Sequence, residues 1–144
     1  CIRIIGENMG RREERQKAVE LLYEMSVQKE DEAAYIKEYL DKYELDSENL
    51  KFAVRILEAY FENKEHVNSA TSENLQKWKI ERLGKLDLNI IRIATTEMLY
   101  FDDVPEAVSI NEAVELAKLF SEEKAFKFIN KVLRNILEST KKGE

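Results

Sequence analysis

Apolar side chains recur every three or four residues along most of the chain, the period of an α-helix with one buried face. Ala18, Val19, Leu22 and Met25 set the first stripe, with Leu21 and Tyr23 beside them. Ala33, Ile36, Leu40 and Tyr43 repeat the spacing over Glu32–Tyr43. Asp46-Ser47 then offers N-cap chemistry for a long helix carrying Leu50, Ala53, Val54, Leu57, Tyr60 and Phe61, which is expected to fray at Asn63-Lys64. A weaker amphipathic stretch covers 66–79 and ends near Trp78. Gly84 interrupts the pattern, and Leu86–Phe101 follows, apolar nearly all round. Its β-branched residues suit a strand, but its length and lack of turn residues predict a central buried helix. Pro105 closes the next loop. Ser109-x-x-Glu112 reads as a capping box before Ala113, Val114, Ala117 and Phe120. Ser121-Glu122-Glu123 reads as a further helix start, leading to Ile129, Val132, Leu133, Ile136 and Leu137. The pattern predicts an all-α protein of about seven helices.

Composition agrees. Four glycines and one proline in 144 residues leave few breaks for short strands. The length suits one domain with its own core. No apolar run approaches the ~20 residues of a membrane span, so a cytoplasmic location is the default expectation. Residues 1–8 have neither helical period nor cap. Met9 follows them, and Gly6-Glu7 is encodable by a purine-rich run, so they are expected to be a translated leader or other non-native addition ahead of one domain over 9–144.

Catalytic chemistry has few candidates. Cys1 and His66 are the lone cysteine and histidine, too few for a cysteine- or histidine-based metal centre or a nucleophile–base set. There is no glycine-rich phosphate loop. Asp102-Asp103 lies next to Pro105, where acids commonly cap turns. The expectation is a binding module that is not an enzyme and needs no metal or cofactor.

Charge sharpens that expectation. The net charge is −6, unevenly spread. Residues 1–23 carry five Lys and Arg against four Glu, and residues 117–144 carry seven against four, so the acidic excess lies in the middle. Arg11, Arg12 and Arg15 stand together ahead of the first apolar stripe. Guanidinium groups match phosphates bidentately and stack on bases. Lys127, Lys131 and Arg134 fall on one face of the last helix, with Asn130 beside them as a base-edge reader and Phe128 as a stacking platform.

Four stretches, in order, resemble the NusB family of bacterial transcription antitermination factors. They are Arg11-Arg12-x-x-Arg15…Ala18-x-x-x-Leu22-Tyr23; Leu86-Asp87-x-Asn89-Ile90-Ile91-Arg92-Ile93-Ala94-x-x-Glu97; Val104-Pro105-x-x-Val108-x-Ile110-Asn111-Glu112-Ala113-Val114-Glu115-Leu116-Ala117; and Lys127-Phe128-Ile129-Asn130-x-Val132-Leu133. The resemblance implies two small helical bundles packed together. It implies binding to the boxA element of nascent ribosomal RNA as a heterodimer with NusE, a small-subunit ribosomal protein, in a complex with NusA, NusG and RNA polymerase. The family's RNA-binding segments map to Arg11, Arg12 and Arg15 and to Lys127, Phe128 and Asn130. Its NusE surface maps to Glu81, Arg82 and Asp87.

The chain departs from the family pattern at Glu13 and Glu14, expected to dilute the arginine patch, at Leu88 where a basic residue is usual, and at Lys131 where glycine is usual. Arg92 and Glu97, on an otherwise apolar helix, are expected to pair internally and fix the packing of the bundles, because an unpaired buried charge costs several kcal/mol. Two other readings remain at this point: a protein-binding helical scaffold, and the NusB-like domain of an RNA methyltransferase. The second needs a cofactor-binding domain, which this sequence does not contain.

Overall fold

The computed structural model describes residues 10–28, 32–42, 50–75, 83–122 and 124–142; among them are seven helices and no strand. They are α1 (Arg11–Gln28), α2 (Glu32–Lys42), α3 (Lys51–Glu62), α4 (Lys64–Glu73), α5 (Lys85–Tyr100), α6 (Glu106–Phe120) and α7 (Ala125–Lys142). The expected leader, the Asp46-Ser47 cap, Trp78, Glu81 and Arg82 lie outside the described residues.

One helix organises the rest. α5 packs against α1 and α3 on one side and against α4, α6 and α7 on the other. It is therefore shared by the two helical groups, and its sequence explains why. Ile90, Ile91, Ile93 and Ala94 are all buried, so every side of its middle turn meets a neighbour. α1 contributes Ala18, Leu21, Leu22 and Met25, α3 contributes Ile56, Leu57 and Tyr60, and α7 contributes Ile129, Leu133 and Ile136 to the same core. Each such aliphatic side chain, fully buried, supplies about 1.5–3 kcal/mol.

Several helix boundaries differ from the sequence expectation: α4 spans Lys64–Glu73 where 66–79 was expected, and at both ends of α6 a polar group has a distant partner. α6 starts at Glu106, directly after Pro105, whose carbonyl accepts from the N–H groups of Val108 and Ser109. Pro105, with φ fixed near its helical value, starts the helix, and Ser109-x-x-Glu112 is not a capping box. Ser109 lies inside the helix, buried, and donates to Glu97 on α5. Ser121 ends α6 in an extended conformation and bonds Asp87. α7 begins only at Ala125, after Lys124 turns the chain at a φ of 77°. Asn63 does not fray: its side-chain amide donates to the Ala59 carbonyl, and its N–H closes α3 just before α4 starts.

α3 begins without a local cap, since Leu50 has no side-chain acceptor. Glu14 of α1 fills that role. Its Oε1 accepts from the N–H groups of Phe52 (2.9 Å) and Ala53 (3.3 Å). A carboxylate at a helix N-terminus satisfies orphan donors and meets the positive end of the dipole. Glu14 is buried, so it does not dilute the arginine surface as expected.

Candidate nucleic-acid interface

The three N-terminal arginines have different fates. Arg12 is exposed and bidentate to Glu112 of α6, with Nε 2.7 Å and Nη2 3.1 Å from the carboxylate. That contact holds the Glu112 carboxyl below its ordinary range. Arg11 is also exposed. Its Nη2 is 3.5 Å from Asp103 Oδ2, and its guanidinium sits 4.4 Å from the centre of the Phe52 ring. Arg15, expected beside them on the surface, points inward instead. It is 4% exposed, and its Nε and Nη2 donate to both oxygens of Glu97 at 2.7–3.1 Å. One helical turn carries it from the solvated first residues of α1 to the α1–α5 contact.

Glu97 thus pairs internally, as expected. Arg92 does so less completely: its Nε donates to Asn68 Oδ1 of α4 at 2.8 Å and its Nη1 to Asn89 Oδ1 at 3.3 Å. The first bond joins α4 to α5 and the second lies within α5; neither partner is a carboxylate.

The second set lies on α7. Lys127, Lys131 and Arg134 are exposed along one face. Asn130, half-buried among them, accepts from Arg134 Nε at 3.2 Å, which fixes its amide orientation. Phe128 is half-buried and packs against the core, so only part of its ring meets solvent. Both sets border α6, Arg12 through Glu112 and α7 by packing along it.

Asp87 sits in the first turn of α5, half-buried. It lines an open cleft of about 460 Å³ with Tyr23, Leu86, Phe120 and Ser121. Leu86 and Phe120 also line an adjoining apolar pocket with Val19, Ile90 and Leu116. Tyr23 and Phe120 are 43% and 46% exposed, unusually high for large apolar side chains beside a core. Phe120, on the apolar stripe of α6, is exposed at the last residue of that helix. Leu88, where a basic residue is usual in the family, is buried.

Sequence reasoning missed two features. Arg55 of α3 is joined to Asp103 by two hydrogen bonds, Nη2 to Oδ1 at 2.7 Å and Nη1 to Oδ2 at 3.0 Å. A lone arginine in the acidic middle of the chain carries no signal of its neighbours. Asp103, in the turn where a capping role was expected, also pairs with Arg55 and Arg11. The second is His66, which is exposed and bonds the Tyr100 hydroxyl.

The NusB family model matches residues 12–138. The chain belongs to the NusB family. It is 39% identical over 133 residues to the transcription antitermination protein NusB of Clostridium novyi (strain NT), covering 91% of this chain and 100% of that one. It is 40% identical to the NusB of Bacillus cereus (strain B4264), covering 89% and 97%. A solved structure of T. maritima NusB superposes with a TM-score of 0.81 at 32% identity, over 92% of this chain and 93% of that one. The NusB fold recurs in a structure of the antitermination factors NusB and NusE in complex with dsRNA, with a TM-score of 0.78 at 23% identity, over 90% and 96%. The all-α architecture of the NusB family, built round one shared central helix, is therefore the architecture of this chain.

Proposed function

We propose that this NusB-family protein is a transcription antitermination factor that binds boxA of nascent ribosomal RNA as a heterodimer with NusE, and acts within the assembly of NusA, NusG and RNA polymerase. It works by binding and carries out no reaction. The observation that carries this reading is the match to curated NusB proteins along nearly their whole length, 100% of the Clostridium novyi protein and 97% of the Bacillus cereus one.

Arg11 and Arg12 supply phosphate contacts at one edge of the RNA surface, and Lys127, Lys131 and Arg134 supply them at the other. Asn130, oriented by Arg134, reads a base edge, with the exposed part of Phe128 beside it. Arg15 contributes at one remove, by fixing the helix that carries Arg11 and Arg12. The cleft between Tyr23, Asp87 and Phe120 receives NusE. An exposed aromatic pair beside a carboxylate suits a basic partner with an apolar anchor. Glu81 and Arg82 are assigned to NusE contact in this reading.

Gel shifts with boxA RNA, with and without NusE, test it. Each partner should tighten the other by about 1–3 kcal/mol, and reciprocally. Equal RNA affinity with and without saturating NusE rejects the model.

A further inference from the structure

The arginines of α1 and α3 differ in how their charge is matched. Arg15 faces Glu97, and Arg12 faces Glu112. Arg11 and Arg55 instead share the single carboxylate of Asp103, at 3.5 Å and 2.7 Å. The cluster keeps a surplus positive charge. All three side chains are open to solvent, Arg55 at 43% and Asp103 at 47%.

The two guanidiniums are also held in place from behind. Arg11 lies 4.4 Å from the centre of the Phe52 ring, and Arg55 lies 3.8 Å from that of Phe101. The two rings meet edge to face at 5.8 Å, and both are buried. Two arginine planes are thus backed by a rigid aromatic pair, which lowers the entropy lost when they bind. In front of them sits a carboxylate whose two oxygens fill the Arg55 fork, a contact that the two free oxygens of a tetrahedral phosphodiester also make.

We propose that Arg11 of α1 and Arg55 of α3 form a phosphodiester-binding site in the RNA surface, and that the carboxylate of Asp103 holds the seat of that phosphate in the free protein. The proposal rests on the RNA-binding reading above and adds to it a residue on α3, a helix that the arginine-rich and terminal-helix motifs do not include. A backbone phosphate enters between the two guanidiniums while Asp103, on the exposed turn between α5 and α6, swings out to solvent. The exchange conserves the bidentate contact at Arg55 and adds the surplus charge of Arg11 to the attraction. The site recognises the backbone and not the base, so it contributes equally to all RNA sequences.

The test measures binding of the full chain to single-stranded boxA RNA and to a scrambled RNA of equal length, across a salt series, with NusE present. Arg55→Gln should weaken both RNAs about tenfold, as loss of a charge-assisted phosphate contact does. It should also flatten the salt dependence by roughly 0.7 log units per log unit of salt. Arg55→Lys should restore the salt dependence but only part of the affinity, since a lysine keeps the charge and loses the fork. Asp103→Asn should tighten both RNAs by about two- to fivefold, the worth of an exposed ion pair released. Melting curves of each variant verify that the fold is intact. Unchanged affinity in a folded Arg55→Gln protein overturns the site. Weaker binding by Asp103→Asn overturns the placeholder role, because the carboxylate would then be orienting the arginines for RNA. If the unmodified chain binds neither RNA, the RNA-binding reading itself fails and the site falls with it.

Discussion

Arg15 and Glu97 meet across the α1–α5 contact through three hydrogen bonds of 2.7–3.1 Å, and neither side chain is more than 4% exposed. The Ser109 hydroxyl adds a bond from α6 at 3.2 Å. One carboxylate therefore ties three helices, and the arginine-bearing end of α1 is aligned by a bond made deep in the protein.

Removing one member of that pair should be far worse than removing both. Arg15→Ala or Glu97→Ala leaves a buried charge without its partner and should cost about 3–5 kcal/mol. Replacing the pair by Arg15→Met with Glu97→Leu should cost much less, since no charge is then stranded. Urea unfolding of the three variants measures the difference. A double variant as unstable as either single one would contradict the assignment.

Glu14 offers a smaller and more local case. Glu14→Ala removes the acceptor for the first N–H groups of α3 and should destabilise the protein by about 1–2 kcal/mol. Glu14→Gln keeps an acceptor at the same place and should recover much of the loss. Hydrogen exchange at Phe52 and Ala53 should quicken in the alanine variant before exchange elsewhere in the core.

The exposed ion pairs Arg55–Asp103 and Arg12–Glu112 predict an acid dependence. Hydrogen bonds from Arg55 hold the Asp103 carboxyl well below its usual value, and those from Arg12 lower that of Glu112. A carboxyl lowered in the folded state stabilises the fold fully above its unfolded pKa, and loses that contribution as pH falls towards its folded value. The stability gap between the unmodified protein and an Asp103→Asn, Glu112→Gln variant should therefore be constant near neutrality and shrink below about pH 4. Chemical denaturation at stepped pH checks it, and a gap that widens in acid would refute the pairing.

Asn130→Ala should reduce the preference for boxA over a scrambled RNA by about 1–3 kcal/mol, if the amide reads a base edge as such groups do elsewhere. Affinities for both RNAs and the melting temperature, taken on one variant, separate base reading from packing. Lower stability with an unchanged preference would assign Asn130 to the fold alone.

Phe120→Ser tests the partner cleft. The ring is 46% exposed, so the change should disturb the fold little. It should weaken NusE binding at least tenfold, as loss of an interface anchor does. RNA binding without NusE should be unaffected.

Much of this protein was legible in the chain alone. The 3.6-residue period marked all seven helices, because burial of one face is written locally into the spacing of Ala18, Leu22 and Met25 or of Ile129, Leu133 and Ile136. The apolar sequence of α5 marked it as the shared central element. The cationic face of α7 was equally plain, since three exposed residues at i, i+4 and i+7 need no knowledge of any other helix. What the sequence could not determine was the partner of each polar group. Arg11, Arg12 and Arg15 look alike in a row. Yet one faces a shared carboxylate, one a paired carboxylate and one the core, since Asp103, Glu112 and Glu97 arrive from 82 to 100 residues away. Ser109 looked like a cap and became a buried donor, and Glu14 looked like a diluting charge and became the cap of another helix. Hydrophobic period depends on near neighbours, whereas an ion pair depends on which distant turn the tertiary packing sets opposite it, and only the folded chain decided that.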